Sequence, residues 1–496
     1  MKMVEQFKRR ILDLAIRGKL VPQDPNDESA SVLLERIREE RAELVKTGKI
    51  KKDKQPSRIV IGSDGAAYEK FADGSIKDVS NELPFALPNG WAWTRIGNVC
   101  YDFQYGTARK STKNGNVPVL RMGNLRAGEI DYSDLVYTSD KDDIERYCLN
   151  PGDLLFNRTN SPEKVGKVSI FRGKKPCIYA GYLVRFRPVR SDSEFINYMM
   201  NSRYQWEFCQ SVKTDAVNQS NISASKFIQF LVPLPPLAEQ KRIVTKIKEL
   251  FMVADLLDAT TNNLMNTSKQ IDKKILDLAI RGKLVPQDPN EEPASELVKR
   301  IASSHKSPCK NQSEPIHPPF EIPGSWKWVR LGEICEYYLG KTPPRADPRY
   351  WHPAEMPWVT ISDMVQYGHV ERTKEGISEY AIKNGSAGRI SPKGTLLMSF
   401  KLTIGKVSIL DCDAAHNEAI ISILPYEIVS REIRDYLFFT LPILSANAQT
   451  SPAIMGDTLN KKTLGNIAIP LPPLAEQKRI VAKIEELRAV IKSLTM

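Results

Sequence analysis

Two short loops carry side chains that could hold a polyanion. Tyr105-Gly-Thr-Ala-Arg-Lys-Ser-Thr-Lys brings Tyr105, Thr107, Arg109, Lys110 and Lys113 together, and Gly340-Lys-Thr-Pro-Pro-Arg brings Lys341, Thr342 and Arg345. Lys, Arg and Thr are the side chains that bind phosphate oxygens and fix a protein on a duplex. Base edges are read by Arg at guanine and by Asn or Gln at adenine. Arg121 and Asn124 in LRMGNL, Asn157 and Arg158 in LLFNRT, and Asn218, Gln219 and Asn221 further on have that chemistry. A second region of similar pattern has Thr360 and Asp363, then Ser399 and Lys401, at the matching places. Such differences suit two readers of two different sequences, although each polar residue also suits a turn or a buried hydrogen bond.

Catalytic patterns fail. His317-Pro-Pro-Phe has histidine where an adenine methyltransferase has asparagine, and it lies in a linker without a Gly-rich cofactor loop, so it reads as a turn. No GxxxxGK[ST] phosphate loop and no HExxH pattern occurs. Seven cysteines without CxxC spacing argue against both a zinc site and a disulfide framework, and point to a reduced cytosolic compartment. The expectation is a binding chain with no cofactor of its own.

Composition agrees. The 71 Lys and Arg against 59 Asp and Glu give a net charge of +12 over 496 residues, which favours a polyanionic partner. No apolar run reaches the roughly 18 residues of a membrane span, and the charged start MKMVEQFKRRILDLAIRGKL is not a signal peptide. A 41% hydrophobic content fits folded domains, and the length suggests about three.

The elements that position the loops are repeated. ILDLAIRGKLVPQDPN stands at 11–26 and again, unchanged, at 275–290; PLPPLAEQKRIV stands at 233–244 and at 470–481. LPNGWAWTRIG from Leu87 matches IPGSWKWVRLG from Ile322 more loosely. The order is tail, variable region, head, tail, variable region, head, with head and tail fused in the middle. Two equal units in a ring opened inside one helix give this order. In the fused stretch Ile243, Ile247, Leu250, Ala254, Leu257, Thr261, Leu264, Ser268, Ile271, Ile275 and Leu278 alternate by four and three, a heptad seam that Gly282 should end. The same seam runs through Ile480, Ile484, Leu487, Ile491 and Leu494, and through Val4, Phe7, Ile11 and Leu14. The paired tryptophans, Trp91 with Trp93 and Trp326 with Trp328, suit core packing better than base stacking. Leu237, Glu239, Gln240, Lys241 and Arg242, repeated as Leu474, Glu476, Gln477, Lys478 and Arg479, suit either a docking surface for one partner met twice or a helix-capping turn.

This layout resembles the specificity subunit of type I restriction-modification systems over nearly the whole chain. The two PLPPLAEQKRIV blocks, each opening a heptad helix, the tryptophan motifs and GDLLFNR at 152–158 carry the resemblance. It implies an α/β (α+β) chain: two globular target recognition domains separated by an antiparallel coiled coil of long helices, in a pseudo-twofold circular arrangement. The divisions are a conserved N-terminal helix 1–20, a charged helical linker 21–82, a first recognition domain 83–236, a central helix 237–282, a linker 283–320, a second recognition domain 321–473 and a C-terminal helix 474–496. The resemblance further implies a non-catalytic subunit in the cytoplasm that reads a bipartite site in double-stranded DNA. Its partners would be two copies of an adenine-N6 methyltransferase subunit, joined in some complexes by motor-nuclease subunits. S-adenosylmethionine, ATP and Mg would belong to those partners. A two-headed DNA-binding regulator working alone, and a scaffold whose globules bind proteins, are the competing readings.

Overall fold

A computed structural model describes residues 2–52, 56–217, 219–304, 316–401, 403–426, 430–446, 451–453, 456–458 and 461–495. The chain divides into two compact units, Met1–Thr261 and Asn262–Met496. The division falls inside one continuous helix, Leu237–Ile280, which gives its first part to one unit and its last part to the other.

In the first unit, helix α1 (Lys2–Ile16) lies antiparallel to the long helix. Lys8 pairs with Asp255 near one end, and Gln23, just past α1, reaches Glu239 near the other. Ile11, Leu12, Ala15 and Ile16 are buried with Ile243, Val244 and Ile247 in one core. Helix α1 stops because Gly18 adopts a positive φ of 64°, so that its N–H and that of Lys19 close back on Ala15 and Leu14. Helix α2 (Ala30–Lys46) follows, then a sheet of three antiparallel strands, β1 (Ser57–Ile61), β2 (Ala67–Phe71) and β3 (Ile76–Asp78). Residues 21–82, expected as a charged helical linker, are thus α-helical only over α2 among the described residues. Turn sequences at Gly62–Ala66 and Ala72–Ser75, rich in Asp and Gly, fold the rest back on itself.

The first globule opens on β4 (Ala92–Arg95), which pairs antiparallel with Leu231–Leu234, the strand that closes it. Between them β5 (Cys100–Tyr105) joins strands 183–188, 154–157 and 168–170 in an antiparallel sheet. Phe156 stacks on Phe227 with ring centroids 4.0 Å apart, at the centre of the core.

The second unit repeats the plan by itself. Lys327–Arg330 pairs with Ala468–Leu471, and a five-stranded sheet lies between them in sequence. The C-terminal helix Leu474–Thr495 lies antiparallel to the last part of the long helix, joined by Arg488 to Asp272 at 2.6 and 3.0 Å. The long helix ends at Ile280, before Gly282 at φ 67°, as its sequence requires.

The heptad seam is buried only at its ends. Ile243, Ile247, Ala254 and Ile275 are covered, whereas Leu257, Leu264 and Ile271 are 58%, 43% and 45% exposed. In each unit the apolar residues at the far end of the partner helix are exposed as well, Met3 and Phe7 in the first and Val490 and Leu494 in the second. Trp91, Trp93 and Trp326 are buried, and Trp328 is half-buried against Phe320, so the tryptophans pack the core.

Candidate nucleic-acid interface

Each basic loop leaves its sheet at a glycine pressed against a neighbouring strand. A Cβ at Gly106 would stand 2.1 Å from the Tyr179 carbonyl oxygen, and one at Gly340 would stand 2.0 Å from that of His416. Only glycine allows this approach, and it fixes where both loops start.

In the first loop Lys110 and Lys113 are exposed and make no ion pair among the described residues. Arg109 is exposed and pairs with Asp140. Thr107, expected at DNA, is buried: its hydroxyl bonds the Asp143 carboxylate and accepts from the Arg109 N–H at 3.0 Å, so it shapes the turn. The half-exposed Arg121 pairs with Asp134 at 2.8 Å. Asn124, also expected at DNA, is buried. Its side-chain oxygen accepts from the Arg121 N–H at 2.8 Å, and its amide donates to the carbonyls of Asp131 and Asp134. Asp363 does the same work in the second unit, accepting from the Thr360 N–H at 2.8 Å and hydroxyl at 2.7 Å. The differing residues Asn124 and Asp363 therefore build one turn in the two units. Asn157 and Ser399 are fully buried at the ends of matching strands and hold the loops beyond them through the carbonyls of Lys164 and Thr403.

Four of the expected residues do converge on a surface. The Arg158 guanidinium lies 4.6 Å above the ring of Tyr105 and donates to the Asn221 side chain at 3.3 Å. Tyr105 accepts from the Ala224 N–H at 3.2 Å. Asn221 sits on a hairpin strand, Gln219–Asn221, whose Gln219 is exposed; Asn218 lies outside the described residues. A cation held flat on an aromatic ring is preorganised for a base or a phosphate. In the second unit Lys341, Thr342 and Pro344 line an open hollow of about 530 Å³ with Gly385, Ser386 and Glu418. Thr342 donates to Glu418, whose carboxyl that bond holds below the usual range. Arg345 stacks on Trp351 at 4.1 Å and Trp358 at 4.6 Å and pairs with Glu375. Lys401 is half-exposed beside Phe400. The sequence reading missed Trp351, Trp358 and Glu418; only the fold brings them to the loop.

The repeated head residues lie elsewhere than expected. Glu239, Gln240, Glu476 and Gln477 are buried and present no docking surface. Glu239 accepts from the Trp91 indole N–H at 2.9 Å and from Gln23 at 3.1 Å. Glu476 accepts from Trp326 at 2.8 Å and from Gln287. Burial pushes both carboxyls up, and the donated bonds offset part of that. Gln240 donates to the Pro235 carbonyl and accepts from the Asp192 N–H; Gln477 donates to the Pro472 carbonyl. Arg242 pairs with Asp27, and Arg479 with Glu291, its counterpart in the second tail. Leu237 and Leu474 pack on their cores, leaving Lys241 and Lys478 as the exposed members. Head, tail and tryptophan motif thus recur together because they bind one another.

A family model described as the type I restriction modification DNA specificity domain matches twice, over residues 88–266 and 323–495. The chain belongs to this family of DNA specificity subunits. It is 27% identical to the type I restriction enzyme EcoEI specificity subunit of Escherichia coli, over 97% of this chain and 89% of that one. It is 30% identical to the EcoAI specificity subunit of the same organism, over 68% of this chain and 63% of that one. The fold is similar to the crystal structure of the HsdS subunit from Thermoanaerobacter tengcongensis, with a TM-score of 0.51 and 21% identity over 83% of this chain and 93% of that chain. A structure concerned with complex assembly and conformational transition of the type I system gives a TM-score of 0.54, also at 21% identity, over the same shares. Each match covers one globule and runs on into the helix that follows it, so the specificity domain occurs twice in the chain.

Proposed function

We propose that each unit reads one half of a bipartite DNA site and that the chain directs the catalytic subunits of its complex to that site. The observation that carries this is one internal frame, made twice from the same residues, under two unlike surfaces: Tyr105, Arg158 and Asn221 on one, Lys341, Thr342 and Arg345 on the other. Identical frames suit two copies of one methyltransferase subunit, and unlike faces suit two unlike half-sites. The exposed apolar residues Leu256, Leu257, Leu264 and Met265 along the middle of the long helix supply an area for such subunits to cover. S-adenosylmethionine, ATP and Mg serve the partners; this chain contributes recognition, in the cytoplasm, and no chemistry of its own.

The test is methylome sequencing of a host that carries this chain with its methyltransferase subunit. Two short half-sites separated by a fixed gap are expected. One continuous motif, or methylation unchanged when this chain is deleted, overturns the proposal. Tight sequence-specific binding by the chain alone, with no methyltransferase that co-purifies, would assign it to stand-alone regulation instead. Inserting seven residues after Thr261 adds about 10 Å of helix. The expected result is a gap longer by roughly 3 base pairs with both half-sites unchanged.

A further inference from the structure

The first unit carries a module that the second has no chain to build. Residues 38–90 separate the buried Ile37 from Trp91, whereas only residues 302–325 separate the matching Ile301 from Trp326. The module is the sheet β1–β3, and it is bolted down. The buried guanidinium of Arg95 reaches Glu69 at 2.7 Å and Glu82 at 2.7 Å, and the Ser57 hydroxyl donates to Glu69 at 2.6 Å. Burial works against the charge on Glu69, but the bonds from Arg95 and Ser57 outweigh it and hold the carboxyl below its ordinary range.

Between this sheet and α2 lies a cleft of about 470 Å³. Leu34, Ala42, Val45 and Ile59 give it apolar walls. Arg38, Arg41, Lys46, Lys52 and Arg58 supply five cations, and among the described residues no carboxylate lines it. Arg38 pairs with Glu35 and Lys46 lies 4.0 Å from Glu43. Both pairs are exposed and cost little to break. Arg41 is held over the Cys100 carbonyl.

The wall opposite α2 is an open strand edge. Strand β1 is at the margin of its sheet and pairs with β2 alone. Bonds between Ala72 and Pro56 and between Gly62 and Ala66 bracket the ladder and set the even-numbered residues of β1 toward β2. Ser57, Ile59 and Ile61 therefore direct their backbone groups the other way. Asn98, which lines the cleft, donates to the Ser57 carbonyl at 3.2 Å; among the described residues the outward groups of Ile59 and Ile61 have no sheet partner.

We propose that this cleft docks an extended acidic segment of a partner protein, which adds a strand to β1 and sets its carboxylates against the five cations. An open edge supplies backbone affinity, and alternate side chains fall into the apolar walls or onto the cations. A duplex is too broad to enter and would leave both the apolar walls and the strand edge unused. Since the described residues of the second unit hold no such sheet, one segment binds per chain. The proposal is independent of which bases the globules read.

The probe is a fluorescein-labelled peptide of alternating Glu and Val, titrated into the full chain and followed by anisotropy. Saturable one-to-one binding in the range of tens of micromolar, weakened by salt, is expected. The double substitution R38E/R58E should lower affinity by about ten-fold or more. Ile59→Pro, which changes no charge, should weaken it through the strand edge, with both variants keeping the melting temperature of the parent. Absence of saturable binding overturns the proposal, as does binding that neither variant alters. If a short duplex displaces the peptide at equal charge and R38E/R58E weakens the duplex by the same factor, the cleft belongs to nucleic acid and the proposal falls.

Discussion

In the first unit the Trp91 indole donates to Glu239 beside Gln23; in the second the Trp326 indole donates to Glu476 beside Gln287. The two arrangements match residue for residue, down to the glycine that ends the helix before each. A few residues away the likeness stops. Arg158 lies on Tyr105 in one globule, while Arg345 lies on two tryptophans in the other. Identity in this chain follows the contacts that close each unit, and divergence follows the surfaces that face outward. The repeated residues Trp91, Gln23 and Glu239, like Trp326, Gln287 and Glu476, mark scaffold contacts.

That comparison is most sharply tested at the glycines. Gly18→Ala puts a Cβ 2.3 Å from Pro88 at a φ of 64°, and Gly282→Ala puts one 2.4 Å from Pro323 at 67°. Each should cost about 3 kcal/mol of its own unit's stability, read by urea unfolding. A large loss in one unit and none in the other would break the equivalence. Next, Trp91→Phe and Trp326→Phe each leave a buried carboxylate without its indole donor, for a loss of about 2 kcal/mol in either unit.

The surfaces should behave oppositely. Arg158→Ala should relax preference at bases of one half-site only, and Arg345→Ala at the other, each by about 1–2 kcal/mol of discrimination in binding to base-substituted duplexes. Equal effects on both half-sites would mean that these arginines hold phosphates. The smallest effect separates the units by acid. Glu69 has a lowered carboxyl pKa when folded, so its contribution is present above the ordinary glutamate value of 4.5 and is lost as pH falls through the lowered one. Pepsin should therefore cut first within 57–82 as pH drops below that range, and Glu69→Gln should reduce the difference in cutting between low and higher pH seen in the parent, measured against an unfolded control substrate at each pH.

The frame was legible because it is periodic and repeated: the long helix, its stop at Gly282 and the two globules all follow from spacing. The seam was over-read, since heptad spacing marks Leu257 and Leu264 as apolar without saying what covers them. The sheet β1–β3 was hidden within residues 21–82, whose charge reads as a helical linker. The loop surfaces were half legible. Residue type marks the exposed loop cations, but Thr107, Asn124, Asn157 and Ser399 have the same polar chemistry whether they face outward or bond a neighbouring carboxylate or carbonyl. Only burial distinguishes the two.

The strand that opens each globule pairs with the one that closes it, Trp93 opposite Pro233 and Trp328 opposite Pro470. Everything that differs between the globules hangs from these two-stranded clasps. A foreign insert ending in the same clasp would meet an unchanged chassis, so new specificity can be acquired by exchanging the cassette whole. The unbroken identity of 11–26 and 275–290 offers stretches where such an exchange keeps the reading frame.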